Sequence, residues 1–365
     1  MKTRENNYDL LRILSMLGVI LIHISATYLN NAAKVFAAGV ASNNYTLVLS
    51  IFNCIGRFGV PCFLMLSGVF LLNNEKNKDF KYFYKNAFNK ILLPTFIFTI
   101  FYVLYQLPGC FIGEDKAILP LIKKVITGEP FYHMWYMYML VGVYLLVPFI
   151  IRIKDEIGEK DFKRLAIIFL PVAVVCLWTT KFKLNWNIGR SFLYSSYLMI
   201  GYVIANASKE KKKAKLWLFL ILGIIVELIM AYLVNGFTRK GVLSSDLEYP
   251  VQGNSSPLSM FAGVFFFIAF ANLNVKHDFS KLSGLTFYIY LFHAGVWDFM
   301  QKILRIFKGN EFVLNLDSRI AIPCFTVIVL ILSIVFSVIY KWLVSSKAII
   351  SFKEKTNKVI FKEIV

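Results

Sequence analysis

The stretch "YDLLRILSMLGVILIH", Tyr8 to His23, decides how this chain is read. It has the apolar density of a membrane-spanning helix, yet it holds Asp9 and Arg12 near its start and His23 well inside the apolar run. Polar and ionisable groups in a bilayer are costly and face a protein interior or a cavity. Arg12 and His23 are eleven residues apart, almost three whole helical turns. Both side chains therefore leave one face of the helix, about 16 Å apart along its axis. Asp9, three residues before Arg12, is close enough to pair with it and fix its guanidinium. Ser15, Met16 and Val19 lie between as a narrow, mostly apolar track. The plain alternative is that Arg12 reaches to lipid headgroups and His23 bonds a neighbouring helix. Against it, a histidine taken out of water sheds its charge readily, which suits a general base.

The rest of the chain has the same apolar character. Of its 365 residues 58% are hydrophobic and 17% charged, and the charges cluster between apolar runs. With a mean hydropathy of +0.63, this describes an all-α polytopic membrane protein and not a soluble domain. The net charge of +19 does not call for nucleic acid, because the lysines sit in short loops where they set topology and meet anionic lipid. The five cysteines have no metal-ligand spacing and no disulfide pattern, so no metal is expected. The first apolar run lacks a small-residue cleavage site and is expected to stay as a signal anchor.

A span needs about 20 mainly apolar residues. Runs of that kind fall at 8–30, 47–72, 88–108, 132–151, 164–180, 190–206, 214–235, 257–274, 284–304 and 320–344, predicting about ten transmembrane helices. With both termini cytoplasmic, the inner loops hold 25 Lys and Arg and the outer loops 13, the expected bias. Residues 109–131 include "EDKAILPLIKKVI", a candidate interfacial helix, and 236–256 are polar and rich in turn formers. If the source is bacterial, the sequons at Asn44 and Asn254 read as chance matches.

Other chemistry-bearing residues are scattered along these spans. "RFGVPCFLMLSG" (57–68) places Arg57 toward the outer end of its span, where snorkelling accounts for it, and Pro61 with Ser67-Gly68 is expected to kink the helix. "FKYFYKNAFNKILLP" (80–94) puts Lys81, Lys85 and Lys90 on the cytoplasmic side, where they would meet phosphates as point charges or simply mark topology. His133, Trp135, Tyr136 and Tyr138 read as an outer aromatic belt, with His133 interfacial and half-exposed. Asn187 and Arg190 sit at an outer helix mouth suited to a sugar. Glu227, deep in an apolar run, needs a partner or a proton. Tyr288, Tyr290, His293 and Asp298 lie on the ninth span, with His293 in mid-membrane.

Taken in order, these segments resemble the acyltransferase 3 family. "YDLLRILSMLGVILIH" is similar to its first-helix signature, an Arg and a His separated by ten residues. "GVPCFLMLSGVFLL" resembles its second-helix motif, "FNKILLP" the basic segment ending in Pro, and "IYLFH" its ninth-helix motif. "HMWYMYMLVGVYLLVP" looks like the branch of surface-polysaccharide O-acetyltransferases. The resemblance covers nearly the whole chain, giving a transmembrane domain over 1–345 and a basic cytoplasmic tail over 346–365. It implies acyl transfer, usually acetyl from acetyl-CoA, to a hydroxyl of an extracytoplasmic glycan at the bacterial cell membrane. His23 matches the catalytic histidine and Arg12 its paired arginine. Lys85 and Lys90 stand where many members have arginines, so point charges replace bidentate phosphate contacts.

The chemistry expected from this has acetyl-CoA held by Arg12, Lys85 and Lys90, its arm running past Ser15 toward His23, which takes the acceptor's proton. An acetyl-imidazole on His23 is the alternative to direct transfer. His293, Tyr288 and Ser67 are the candidate oxyanion donors. The implied partners are the lipid bilayer, the glycan acceptor, and a second copy or polysaccharide-synthesis proteins. The rivals are an O-succinyltransferase of the same family, a flippase or transporter of a lipid-linked sugar, and a binding domain without chemistry. Neither inverted repeats nor paired broken helices, the marks of a transporter, are visible in the sequence.

Overall fold

Apolar segments of this length must satisfy their own backbone N–H and C=O groups, which in hydrocarbon leaves helices or a closed barrel. The computed structural model describes residues 5–39, 45–112, 118–179, 190–208, 212–243, 251–253, 256–309 and 312–345, and among these it is helical with no strand. The long helix α1 (Asn6–Ala37) is followed by a broken pair, α2 (Thr46–Cys54) and α3 (Gly59–Leu72). The amphipathic α4 (Phe80–Ala87) runs through a π turn (Phe88–Leu92) into α5 (Leu93–Ile112), and α6 (Ile118–Thr127) precedes α7 (Trp135–Thr179). Then come α8 (Ser191–Ala207), α9 (Lys213–Thr238), α10 (Pro257–Ala271), the single turn α11 (Ser280–Ser283), α12 (Thr286–Lys308), the turn α13 (Phe312–Asn315) and α14 (Ser318–Val344). Each expected apolar segment falls on one of these helices or on one arm of a kinked one. Six helical stretches are long and apolar enough to cross a bilayer: 6–37, 46–72, 80–110, 135–176, 213–238 and 318–344. Their outward rows, such as Ile221, Ile225, Leu228 and Tyr232 on α9, are exposed, and in a multi-pass membrane protein such rows meet lipid.

α1 is the central helix. It packs against α2, α3, α9, α10, α12 and α14, with Leu11, Met16, Ile20, Ile24 and Leu29 essentially fully buried. Small residues let its neighbours come close: Gly18 and Gly56 meet backbone to backbone, as do Gly68 with Leu198 and Gly201 with Met65.

Two local readings change, at residues 152–164 and at the break in the second span. Residues 152–164, read as a loop, continue the helix of α7, which bends where Gly158 takes a left-handed φ of 77°, open mainly to glycine. The break in the second span falls at Ile55–Phe58 and not at Ser67-Gly68, which stays helical. Pro61 is the third residue of α3, where the N–H it lacks would have no intrahelical partner. The segment "EDKAILPLIKKVI" forms α6 from Ile118 onward, with Leu121 buried and Leu119 and Ile126 exposed. Asn44, Asn187, Asn254, residues 244–250 and 255 of the 236–256 loop, and the 346–365 tail lie outside the described residues.

The α3–α8 crossing gives a direct stability test. A Cβ on Gly201 would lie 2.3 Å from the Met65 carbonyl oxygen, whereas one on Gly236 of α9 would meet nothing within 4 Å. Gly201→Ala is expected to lose about 1–3 kcal/mol, and Gly236→Ala to gain about 0.4–1 kcal/mol. Thermal unfolding in detergent reads both, and shifts of the same sign would contradict this packing.

Candidate active site

The start of α1 is pinned before its functional residues begin. Asn7 donates to the Phe270 carbonyl at 2.9 Å, and Tyr8 stacks on Phe267 at 5.8 Å. The next residue, the buried Asp9, accepts the Ser283 hydroxyl on its carboxylate at 2.5 Å. The same Ser283 Oγ accepts from Arg12 Nη1 at 3.5 Å. The acid and the base expected to meet along α1 therefore share a hydroxyl from α11, and Phe70 covers the guanidinium with its ring 5.1 Å away.

Arg12 opens onto a cavity of about 610 Å³, within the range ligand sites occupy, about 300–1,000 Å³. Lys90 and Lys341 add two more cations to its wall. Lys90 and its neighbour Asn89 arrive through the π turn at Phe88–Leu92, a widened turn that shifts the helical register and recurs at functional sites. Ser67, Ser283 and the tyrosines 136, 144, 288 and 290 line the rest.

The inner end of that cavity touches a cluster of three histidines. Tyr290, in the cavity wall, has its ring 5.3 Å from His293 and 5.5 Å from His133, and Tyr136 packs 5.2 Å from Tyr290. His293 lies 5.2 Å from both His23 and His133, ring centre to ring centre. A carbonyl only accepts, so the 2.6 Å contact of His293 Nδ1 with the Tyr290 carbonyl places the proton on Nδ1. Its buried Nε2 then has a lone pair with no partner among the described residues. His23 itself is half-buried, with Tyr132 against it at 5.0 Å and Tyr132 46% exposed.

His133 is the largest correction to the sequence reading. It is fully buried rather than half-exposed, because residues 128–134 tuck into the helix bundle. Gly128 turns the chain with a φ of +83°, Gln106 donates to the Pro130 carbonyl at 2.6 Å, and Tyr290 Oη donates to the His133 carbonyl at 2.5 Å. Non-helical backbone at membrane depth is tolerated where protein satisfies it in this way.

Arg57 is the second correction. It is buried at the α2–α3 break and does not snorkel. Its guanidinium donates to the Asn53 carbonyl at 3.2 Å and to Asn53 Oδ1 at 2.7 Å. Asn53 in turn donates to the Ile22 carbonyl and to Ser25 Oγ, both at 3.1 Å, so Arg57 braces the turn of α1 that carries His23. On the other side of the break, the Phe58 N–H and the charge of Arg57 both act on the carboxyl of the buried Glu227.

Of the residues singled out in the sequence, Arg12, Ser67, Lys90, Tyr136 and Tyr288 meet at the cavity, while His23, His133 and His293 form the cluster at its end. Asp9 is tied in through Ser283. Ser15 and Val19 are buried against α3 at Gly59, away from the cavity wall, and Lys85 is exposed on α4, also outside that wall. Arg190 begins α8 next to Ser191, which bonds the Met139 carbonyl, and Trp135 lies against Tyr194. Ser283, Lys341, Tyr144 and Tyr132 escaped notice. Ser283 and Lys341 carry no local signal, since each meets Arg12 only through the tertiary fold. Among the described residues, no group of three or more His, Cys, Asp or Glu is placed to hold a metal ion.

Comparison with known proteins adds the family context. The model of the acyltransferase 3 domain family, described as an acyltransferase domain, matches residues 5–342. An amino-acid racemase of Enterococcus faecalis is 31% identical over 170 residues, covering 44% of this chain. The match takes in 21% of that racemase, so the chain spans about a fifth of its length. No solved structure matches the chain.

The brace at the helix break is testable by a double-mutant cycle. Arg57→Met and Glu227→Gln are expected to be non-additive, with a coupling of about 1–3 kcal/mol in thermal unfolding. Additivity within about 0.5 kcal/mol would show that the two groups act independently.

Proposed function

The chain belongs to the acyltransferase 3 family and is a membrane acyltransferase, and from that premise we propose that it is an O-acetyltransferase acting across a bacterial cell membrane. It moves acetyl from cytoplasmic acetyl-CoA to a hydroxyl of an extracytoplasmic glycan. The observation that carries this reading is the cationic cavity at Arg12, which ends on Tyr136 and Tyr290, the latter in contact with the histidine cluster. The bias of Lys and Arg between loops supports ten crossings with both termini inside, so the Arg12 mouth faces the cytoplasm.

In this reading Arg12 offers a planar fork to the donor's phosphates, while Lys90 and Lys341 supply point charges. Lys341 takes the place first expected for Lys85. Asp9 and Ser283 hold Arg12 in position. His23 removes the proton from the acceptor hydroxyl as its oxygen attacks the thioester carbonyl, and it returns that proton to the departing thiolate. His293 Nε2, whose lone pair has no partner among the described residues, lies beside His23 and would accept one of its ring N–H groups when His23 turns to the acceptor, which leaves the other His23 nitrogen basic. The tyrosine pair at the end of the cavity keeps bulk water from the thioester.

Acetyl transfer by the purified protein in liposomes tests this. His23→Ala is expected to lose activity by roughly 10²–10⁴-fold with acetyl-CoA affinity unchanged. Arg12→Ala is expected to weaken acetyl-CoA binding roughly ten- to hundredfold, whereas Lys85→Gln should leave it near wild type. Full transfer by His23→Ala would remove the base from the mechanism, and unaltered affinity in Arg12→Ala would remove the phosphate site.

A further inference from the structure

The donor cavity accounts for one mouth of the molecule and leaves the other without a role. Lys34 lies eleven residues beyond His23, as His23 lies eleven beyond Arg12, so the three stand on one face of α1. Thr27, Asn30 and Asn31 share that face, one to two turns past His23, and Trp297 fixes Thr27 with a 3.3 Å hydrogen bond. Two adjoining chambers open at this end, with Asn31 and Leu314 in the wall of both.

The smaller chamber, about 170 Å³, holds Lys34 and Arg305 with the amides of Asn30, Asn31 and Gln301. Gln301 and Arg305 belong to α12, two and three turns beyond His293. Both helices that carry the reacting histidines thus also carry a cation of this chamber.

The larger chamber, about 450 Å³, is lined by Tyr28, Tyr45, Thr46, Asn315 and Ser318, with one acid, Asp317. That acid is matched: Arg319 Nη2 lies 2.5 Å from its carboxylate and holds it below the usual carboxylate range. Tyr28 is 4% exposed, and its buried hydroxyl has no hydrogen-bond partner among the described residues. A buried hydroxyl left unmatched is costly, and a ligand hydroxyl in this chamber would offset that cost.

Neutral donors and acceptors beside tyrosine rings suit a sugar, and two adjacent cations suit a negative group on it or on the next unit. We propose that these chambers are the acceptor subsite and that the acceptor is an anionic glycan. Its reactive sugar sits against Tyr28, and its phosphate or carboxylate meets Lys34 and Arg305. Which hydroxyl is acetylated rests on the acetyl-transfer reading above; the binding of the glycan does not.

Binding to the full-length protein in zwitterionic nanodiscs tests the proposal, with oligogalacturonate and glucose 6-phosphate as anionic probes and maltotriose as the neutral one. At least one anionic probe is expected to bind tenfold or more tightly than maltotriose, with the preference fading as salt rises. Lys34→Gln and Arg305→Gln should each weaken that probe five- to tenfold. Lys34→Arg should restore it, and acetyl-CoA affinity should stay constant throughout. Equal affinity for charged and neutral probes would overturn the proposal. So would acetyl-CoA binding with no saccharide binding. Phosphatidylglycerol vesicles that occupy the cations without any discrimination among saccharides would make this a lipid contact and overturn it as well. Anionic saccharide binding in a protein that fails to bind acetyl-CoA would sink the acetyl-transfer reading and leave this subsite standing.

Discussion

A helix that places an arginine and a histidine on one face inside the bilayer must be surrounded by groups that repay their burial. That constraint organises the molecule. α11 supplies Ser283 to Asp9 and Arg12, and α12 supplies His293 to His23. The α2–α3 break supplies Arg57 and Asn53 to the turn that carries His23. The 128–134 segment gives up regular helix to bring His133 and Tyr132 to the same place. Apolar packing elsewhere is dense but generic; around α1 it is the polar groups that dictate which helices are neighbours.

The same arrangement divides the molecule along α1. At Arg12 the wall is cationic and aromatic, at His23 the groups are histidines and tyrosines, and at Lys34 the wall is cationic and amide-rich. Tyr136 and Tyr290 separate the first region from the second. In the acetyl-transfer reading proposed above, a donor and an acceptor must meet without opening a continuous pore, and a histidine layer behind an aromatic pair would meet that need. The hydrogen bond from His293 Nδ1 to the Tyr290 carbonyl ties the histidine layer to the helical turn that carries one member of the pair.

What could be read in advance followed from how local each feature is. Helical segments and the shared face of Arg12 and His23 depend on hydropathy and on 3.6 residues per turn, both written along the chain. The resemblance to the acyltransferase 3 family pointed to Arg12 and Lys90, which line one cavity, and to His23, which lies against His293 in the histidine cluster beside it. The depth of His133 was hidden because an aromatic cluster before a span looks alike at an interface and in a re-entrant turn. Only Gln106 and Tyr290, remote in sequence, decide between them. Arg57 was misplaced for a similar reason: the break falls four residues earlier than Pro61, where α1 crosses at Gly18 and Gly56. Ser283 and Lys341 join Arg12 from the far end of the chain, so no local pattern reveals them.

The central claim is that Arg12 and Lys34 open to opposite sides of the membrane with His23 between them. The most direct measurement is labelling by a membrane-impermeant maleimide of Lys341→Cys and Lys34→Cys, each in a background whose five cysteines are replaced. In intact cells Lys34→Cys should label at once, and Lys341→Cys only after permeabilisation. Labelling of both positions from the same side would contradict the account.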